Sequence, residues 1–403
     1  MRILSLAPTS FFGDYGCHVR ILEEARALQQ LGHDVTVLTY YKGNDVPGLR
    51  IIRTAPTPWR STYEVGSSRH KYVFDVLLGA KLLTVLLGRE RFDIIHAHLH
   101  DGALIGSVLG HLWRTPVCFD YQGSLTDEMI QHGFVRNDWA RRASRRLENV
   151  IDNLPDAIFT STLNAANTLR NHLGSAKPIQ HLPDGVNPDN FRPGILSPQQ
   201  RVEWRARYGI GPTEPVAVFL GLLARHQGVA NIIEAAALLK AQGRAMRWLV
   251  MGYPNLATWK QYAAERGVAD EVVFTGRVPY EQAPHMLALG DVAVAPKLSL
   301  TEGSGKLLNY MAMELPTVAF DTPAQREILG GVGVYVPMGD TAQIAEQVWQ
   351  LVQQPQRMQH LGQRARLRAR QLFGWDRAAL LMTQTYERLL GMTPSTLIES
   401  RAP

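Results

Sequence analysis

Short apolar runs rich in β-branched residues alternate with longer segments whose apolar positions recur every three or four residues, and this alternation happens twice. Such a pattern predicts parallel sheets covered by helices on both faces. In the first half the expected strands are 3–7, 35–39, 50–54, 93–97, 117–121, 157–161 and 179–182. The first helix is the clearest: within 19–31, Ile21, Leu22, Ala25, Leu28 and Leu31 share a face, and Gly32 ends it. The run Pro183-Asp184-Gly185-Val186-Asn187-Pro188 breaks the pattern, and 186–214 reads as a linker. The second half places strands at 216–220, 248–251, 272–275, 292–295, 317–320 and 333–336, with helices at 229–242, 280–289 and 306–313. From 342 onward the chain reads as helical, with 375–390 the most periodic stretch. The predicted fold class is α/β: two doubly wound, Rossmann-like domains, 1–185 and 215–374, facing across a cleft.

Composition narrows this without redirecting it. With 403 residues, 45% hydrophobic and 19% charged, the chain is globular and long enough for two cores. A net charge of +6 is too mild to argue for nucleic acid. Cys17 and Cys118 lie far apart with no metal-finger spacing, so a reducing, cytoplasmic setting is expected. The apolar stretch 72–87 carries Asp75 and Lys81 and is too short to span a bilayer, so it reads as a buried helix.

The most informative segment runs from Ala295 to Ala312. A strand ends, a loop brings Lys297, Glu302, Gly303, Ser304, Gly305 and Lys306, and a helix follows through Leu307 and Asn309. Glycines admit close backbone approach and lysines supply charge, so this loop is a candidate diphosphate cradle. An ordinary strand-to-helix loop with surface lysines is the competing reading.

Ordered motifs then carry a resemblance. Gly13, Gly16 and His18; Gly32-His33-Asp34-Val35; Asp93-Ile94-Ile95-His96-Ala97-His98; Leu182-Pro183-Asp184-Gly185-Val186-Asn187; Phe219-Leu220-Gly221 with Gly228; Val273-Phe274-Thr275-Gly276; the Glu302 loop with Tyr310-Met311-Ala312; and Phe373-Gly374-Trp375-Asp376 follow one another along nearly the whole chain. In this order they resemble a family 4, GT-B-fold glycosyltransferase. The resemblance implies a nucleotide-sugar donor on the C-terminal domain, a hydroxyl acceptor on the N-terminal domain, transfer with retention, and no cofactor or metal. It also implies that the last helix, 375–391, packs back on the first domain. Donor contacts are then expected from Gly221, Arg225, Gln227, Gly276, Arg277, Lys297, Gly303, Ser304, Gly305, Leu307 and Asn309. Glu302, Lys306, Arg225 and His98 carry the catalytic expectation, and Gly16, His18 and Gln122 the acceptor side.

Two departures from the family pattern stand out. The basic pair that neutralises the donor diphosphate is replaced by Leu222 and Gln227, leaving Arg225, His226, Lys297 and Lys306 as substitutes. Asn309 stands where the later of two paired carboxylates would bind the ribose, and it is seven residues from Glu302 instead of eight. These departures leave two alternatives: a nucleotide-sugar-binding protein with weakened transfer, and a nucleotide-sugar 2-epimerase.

His96, His98 and His100 would share one face if the strand continued through them, a pattern able to bind zinc. Arg141, Arg142, Arg145 and Arg146 fall at helical spacing and could rest on an anionic membrane surface; a solvated helix face is the plainer alternative.

Overall fold

The structure is a computed structural model, and it describes residues 1–14, 16–56, 71–131, 133–174, 177–298 and 304–393. The described residues form two separate parallel sheets. The first contains β1 (Arg2–Ala7), β2 (Asp34–Thr39), β3 (Arg50–Arg53), β4 (Ile94–His98), β5 (Val117–Tyr121), β6 (Ala157–Thr160) and β7 (Ile179–His181), in the order β3-β2-β1-β4-β5-β6-β7. The second contains β8 (Val216–Leu220), β9 (Arg247–Met251), β10 (Val272–Gly276), β11 (Val292–Ala295), β12 (Thr317–Phe320) and β13 (Val334–Val336), in the order β10-β9-β8-β11-β12-β13. Each strand lies within about a residue or two of its expected place. The reason is physical: sheets covered on both faces need continuous apolar strands, and such runs are easy to read.

Around the first sheet run α1 (Gly16–Gln30), α2 (Lys71–Leu86), α3 (Leu99–Leu112), α4 (Leu125–Gln131), α5 (Asp138–Asn153) and α6 (Leu163–Leu173). The chain continues through α7 (Pro198–Arg207) to α8 (Val229–Ala241), α9 (Leu256–Glu265), α10 (Ala283–Leu287), α11 (Lys306–Ala312), α12 (Pro323–Leu329), α13 (Thr341–Val352), α14 (Pro355–Leu372) and α15 (Trp375–Leu389). Alternate side chains of β1 and β4 go to opposite layers. Ile3 and Ile94 pack with α1 and α15, while Leu4, Leu6 and Ile95 pack under α2.

The last helix is therefore part of the first domain's core. Trp375, Ala379, Met382 and Tyr386 are buried there, and the Tyr386 hydroxyl meets His96 Nδ1 at 2.5 Å. The two chain crossings lie side by side, with Val186 N–H donating to Phe373 O at 2.8 Å and Val186 bridged to Gly374. Gly185 is required at this crossing, since a Cβ there would lie 2.5 Å from the Trp375 ring.

Three expectations are corrected. The 186–214 segment is no plain linker: it holds α7, and Val186, Phe191, Leu196 and Ile210 belong to the second domain's core, with Arg205 buried against Leu289 O. The 72–87 stretch is not a buried helix. Only Phe74, Leu78, Leu82 and Leu86 of α2 are buried, while Tyr72 and Val76 are exposed. The helix expected over 280–289 is a 3₁₀ turn at Tyr280–Gln282 followed by the short α10.

Candidate active site

In the second sheet the chain runs outward in opposite directions from β8 and β11, so the loops that follow these neighbouring strands flank a crevice. Here the structure brings together Gly221, Gln227 and Lys306. Lys306 opens α11 and sends its ammonium back across the β8 loop, donating to Gln227 Oε1 at 2.8 Å and lying 4.1 Å from the centre of the Phe219 ring. Gly221 has φ +154°, and a Cβ there would come 2.8 Å from the Lys306 nitrogen, so glycine makes the approach possible. Gly228, at φ +78°, lets the two loops touch, because a Cβ would strike Pro296 O at 2.0 Å. Burial, reinforced by the charge of Lys297, holds the Lys306 ammonium's pKa well below the ordinary lysine value.

The neighbouring donor candidates take varied positions. Lys297 and Gln227 are buried. Arg225 is exposed in the same 3₁₀ turn as Gln227 and makes no ion pair among the described residues. Ser304 is buried, with its Oγ lacking a hydrogen-bond partner among the described residues. Asn309 is half-buried one turn beyond Lys306, whereas the Leu307 side chain points into the core and leaves only its backbone available. Glu302 and Gly303 lie outside the described residues.

Gly276 and Arg277 stand apart from this group, at the edge strand β10. Arg277 reaches across the cleft to Asp14 of the first domain, at 2.9 and 2.6 Å, and lies over the Tyr253 ring. Asp14 also accepts the Tyr280 N–H at 2.9 Å, which makes it an interdomain clasp.

On the first sheet, a network absorbs His98 and Gln122. Asp120, the polar residue of an otherwise apolar strand, accepts from Arg20 Nη2 at 2.7 Å, from Gln122 Nε2 at 2.8 Å and from His98 Nδ1 at 3.1 Å. His98 Nε2 faces Ser5 Oγ at 2.9 Å, so both ring nitrogens of this buried residue are engaged. Arg20 also donates to Asp184 Oδ1 at 2.8 Å and to Leu182 O at 3.1 Å, and stands 3.0 Å from Glu24. Burial alone would raise the Asp120 carboxyl's pKa. The Arg20 charge and the His98 contact outweigh it and hold that carboxyl well below the usual range. Glu24, buried with no hydrogen-bond partner among the described residues for either oxygen, is held well above the usual range by burial, offset only in part by Arg20.

His18 does not face the cleft as expected. It is fully buried, with Nδ1 accepting the Gly13 N–H at 2.7 Å and Nε2 at 2.5 Å from Thr9 Oγ1; burial pulls its pKa down to about 3. Gly16 is no loop residue but the first of α1. The three alternating histidines do not share a face either: β4 ends at His98, Leu99 turns at φ 59°, and His100 belongs to α3. Arg20, Asp120 and Asp14 went unremarked in the sequence. An Asp inside a buried parallel strand is the signal that would have found Asp120.

Two family models match consecutive parts of the chain: a "Glycosyl transferase 4-like domain" over 15–185 and "Glycosyl transferases group 1" over 200–368. The 2-deoxystreptamine glucosyltransferase of Streptomyces kanamyceticus is 29% identical over 93% of this chain and 99% of its own. The D-inositol 3-phosphate glycosyltransferase of Nocardia farcinica is 24% identical over 93% and 85%. Among solved structures, a sucrose-phosphate synthase from Thermosynechococcus elongatus superposes with a TM-score of 0.81 at 19% identity, covering 97% of this chain and 99% of that one. Anabaena HepE, solved with UDP and glucose, gives 0.76 at 15%, covering 96% and 100%. With its fold, its cleft and these matches, the chain belongs to the family 4 type of GT-B glycosyltransferases.

The Arg20 network makes one stability prediction. Arg20→Met leaves buried carboxylates without their cation and should cost about 3–5 kcal/mol in denaturant unfolding at neutral pH. Because the Asp120 carboxyl is depressed, its contribution is complete above the unfolded value of about pH 4 and is lost as pH falls through the folded value. The acid-dependent part of stability should therefore shrink in the variant; an equally steep acid limb would contradict the assignment.

Proposed function

We propose that the protein moves a glycosyl group from a nucleotide-diphosphate sugar to a hydroxyl acceptor with retention of anomeric configuration. The observation that carries this reading is the Lys306 ammonium lodged on Gln227 at Gly221, in the crevice between β8 and β11. It supplies from α11 the charge that the family usually supplies from the β8 loop, where Leu222 and Gln227 are uncharged. In transfer, the bond from the sugar's C1 to the diphosphate breaks and the leaving oxygen gains negative charge, which a pre-placed cation stabilises. The acceptor oxygen bonds to C1 on the same face, and its proton passes to the departing diphosphate.

That proton route is supported by how the first domain's candidate bases are occupied. Among the described residues, His18 is bound by Thr9 and Gly13, His98 by Ser5 and Asp120, and Asp120 by Arg20. A separate general base needs a free lone pair within reach of the acceptor hydroxyl. Product anomers read by NMR test this directly: the donor's configuration is expected, and inversion would overturn the mechanism.

Binding of UDP, GDP and ADP by calorimetry tests the cation. Lys306→Ala should weaken the preferred diphosphate by about 10- to 100-fold, the worth of a charge-assisted bond. Adding Gln227→Lys to that variant should recover much of the loss, because a cation then returns to the same spot from the other loop. Since burial depresses the pKa of Lys306 and a diphosphate favours its charged form, binding should weaken, with uptake of a proton, as pH rises through the depressed value of the free protein. Unchanged affinity in Lys306→Ala would sink the reading.

The outward side of α5 supports peripheral contact with an anionic membrane. Arg141, Arg142, Arg145 and Arg146 are all exposed, as are Trp139, Leu147 and Val150, while Ser144, Glu148, Ile151 and Asp152 face inward. No described helix is long and apolar enough to cross a membrane. Salt-sensitive co-sedimentation with phosphatidylglycerol vesicles but not phosphatidylcholine vesicles is expected, and Arg142→Gln with Arg146→Gln should reduce it. Equal sedimentation with both lipids, or with neither, would count against it.

A further inference from the structure

Two buried clusters in the first domain gather side chains of metal-ligating type, and physics separates them. The first joins Glu24, His96, His98 and Asp120. It already contains a cation, since Arg20 bonds Asp120 and lies 3.0 Å from Glu24. Its histidines are also engaged: His98 through both ring nitrogens, and His96 through Nδ1 on Tyr386. A divalent ion there would meet the guanidinium's repulsion and find few open ligand atoms.

The second cluster lies between α3 and α5. His100 projects from the start of α3, its ring held edge-on by Phe119 and Tyr121 at 5.1 Å each. Glu148 and Asp152 come from successive turns of α5, and all three residues are more than nine-tenths buried. His100 Nε2 lies 3.5 Å from Asp152 Oδ1 and 3.7 Å from Glu148 Oε1. Neither His100 Nε2 nor Asp152 Oδ1 has a hydrogen-bond partner among the described residues, although both are fully enclosed. These separations are long for hydrogen bonds. They approach the edge of a tetrahedron, about 3.3 Å for ligand bonds of about 2.0–2.1 Å.

Charge points the same way. Two carboxylates and one imidazole are enclosed together, and among the described residues no arginine or lysine side chain pairs with either carboxylate at ion-pair distance. The Lys177 ammonium is bonded instead to the carbonyls of Asp152, Asn153 and Pro155. Enclosed carboxylates need a compensating charge, which a divalent ion would supply.

The geometry points to a structural site for a divalent first-row transition ion, of which zinc is the first to test, ligated by His100, Glu148 and Asp152. One imidazole nitrogen and two carboxylate oxygens suit such an ion. The ion would join α3 to α5. Because Glu148 also accepts the N–H groups of Leu125 at 3.0 Å and Thr126 at 3.2 Å, it would steady the start of α4, just beyond Gln122. This site is independent of the donor reading, since it shares no residue with the Lys306 crevice.

The test uses the full chain, stripped with EDTA and dialysed, then titrated with zinc chloride. Close to one zinc per chain by elemental analysis and a rise in melting temperature of several degrees are expected. His100→Gln and Asp152→Asn should each weaken uptake by at least about tenfold. Cobalt in place of zinc should give visible d–d absorption in the wild-type protein, which remains a readout if a variant does not fold. Uptake that survives both substitutions, or a stripped wild type that binds no zinc and melts unchanged, would overturn the assignment. Glycosyl transfer by the metal-free protein bears only on the donor reading and leaves this one to the zinc measurements.

Discussion

The guanidinium of Arg20 is the interaction on which the cleft depends. It is almost completely buried, and a buried cation persists only where anions and carbonyls surround it. Here it gathers Asp120 from the end of β5, Asp184 and the Leu182 carbonyl from the crossing segment, and Glu24 from its own helix. Two elements distant in sequence are thereby held at the carboxyl edge of one sheet, where α/β sheets bind ligands. Asp120 then orients His98 and Gln122, so these two candidates inherit their positions from one charge.

On the proposed reading, the crevice between β8 and β11 keeps a cation by taking it from another loop. A departing diphosphate would need a cation beside it, but geometry does not require that it come from the β8 loop. Gln227 is uncharged, yet its amide oxygen receives the Lys306 ammonium, and Gly221 leaves the room that any Cβ would take. The charge absent at Leu222 and Gln227 thus has a neighbour in the same crevice able to stand in for it.

How much of this was legible follows from which forces act locally. The strands were legible because parallel sheets buried on both faces demand unbroken apolar runs, as in Val216–Leu220 and Val292–Ala295. Lys306 was legible as one of four candidate substitutes, with Arg225, His226 and Lys297, because Leu222 and Gln227 named the missing charge; its contact with Gln227 was not. The 186–214 segment misled because its Pro, Gly and charge hide four core residues and a buried Arg205 that satisfies the Leu289 carbonyl, 84 positions away. His18 misled because nothing local says that Thr9 and Gly13 occupy both its nitrogens. Arg20 was invisible for the same reason: its partners lie 100 and 164 positions away, and period counts only which face a residue takes.

Arg20 also bears on the donor site, through Asp184. A Cβ on Gly305 would lie 3.2 Å from Asp184 Oδ2, so this carboxylate borders the residue before Lys306. If the Lys306 crevice holds a diphosphate as proposed, an unpaired carboxylate beside it would oppose that anion, the more strongly for being partly buried. Arg20 pairs with Asp184 at 2.8 Å from the side of the first domain and cancels much of that field. One guanidinium therefore meets both sides of the cleft: it anchors the Asp120 network and, on the proposed donor reading, removes negative charge that would compete with Lys306.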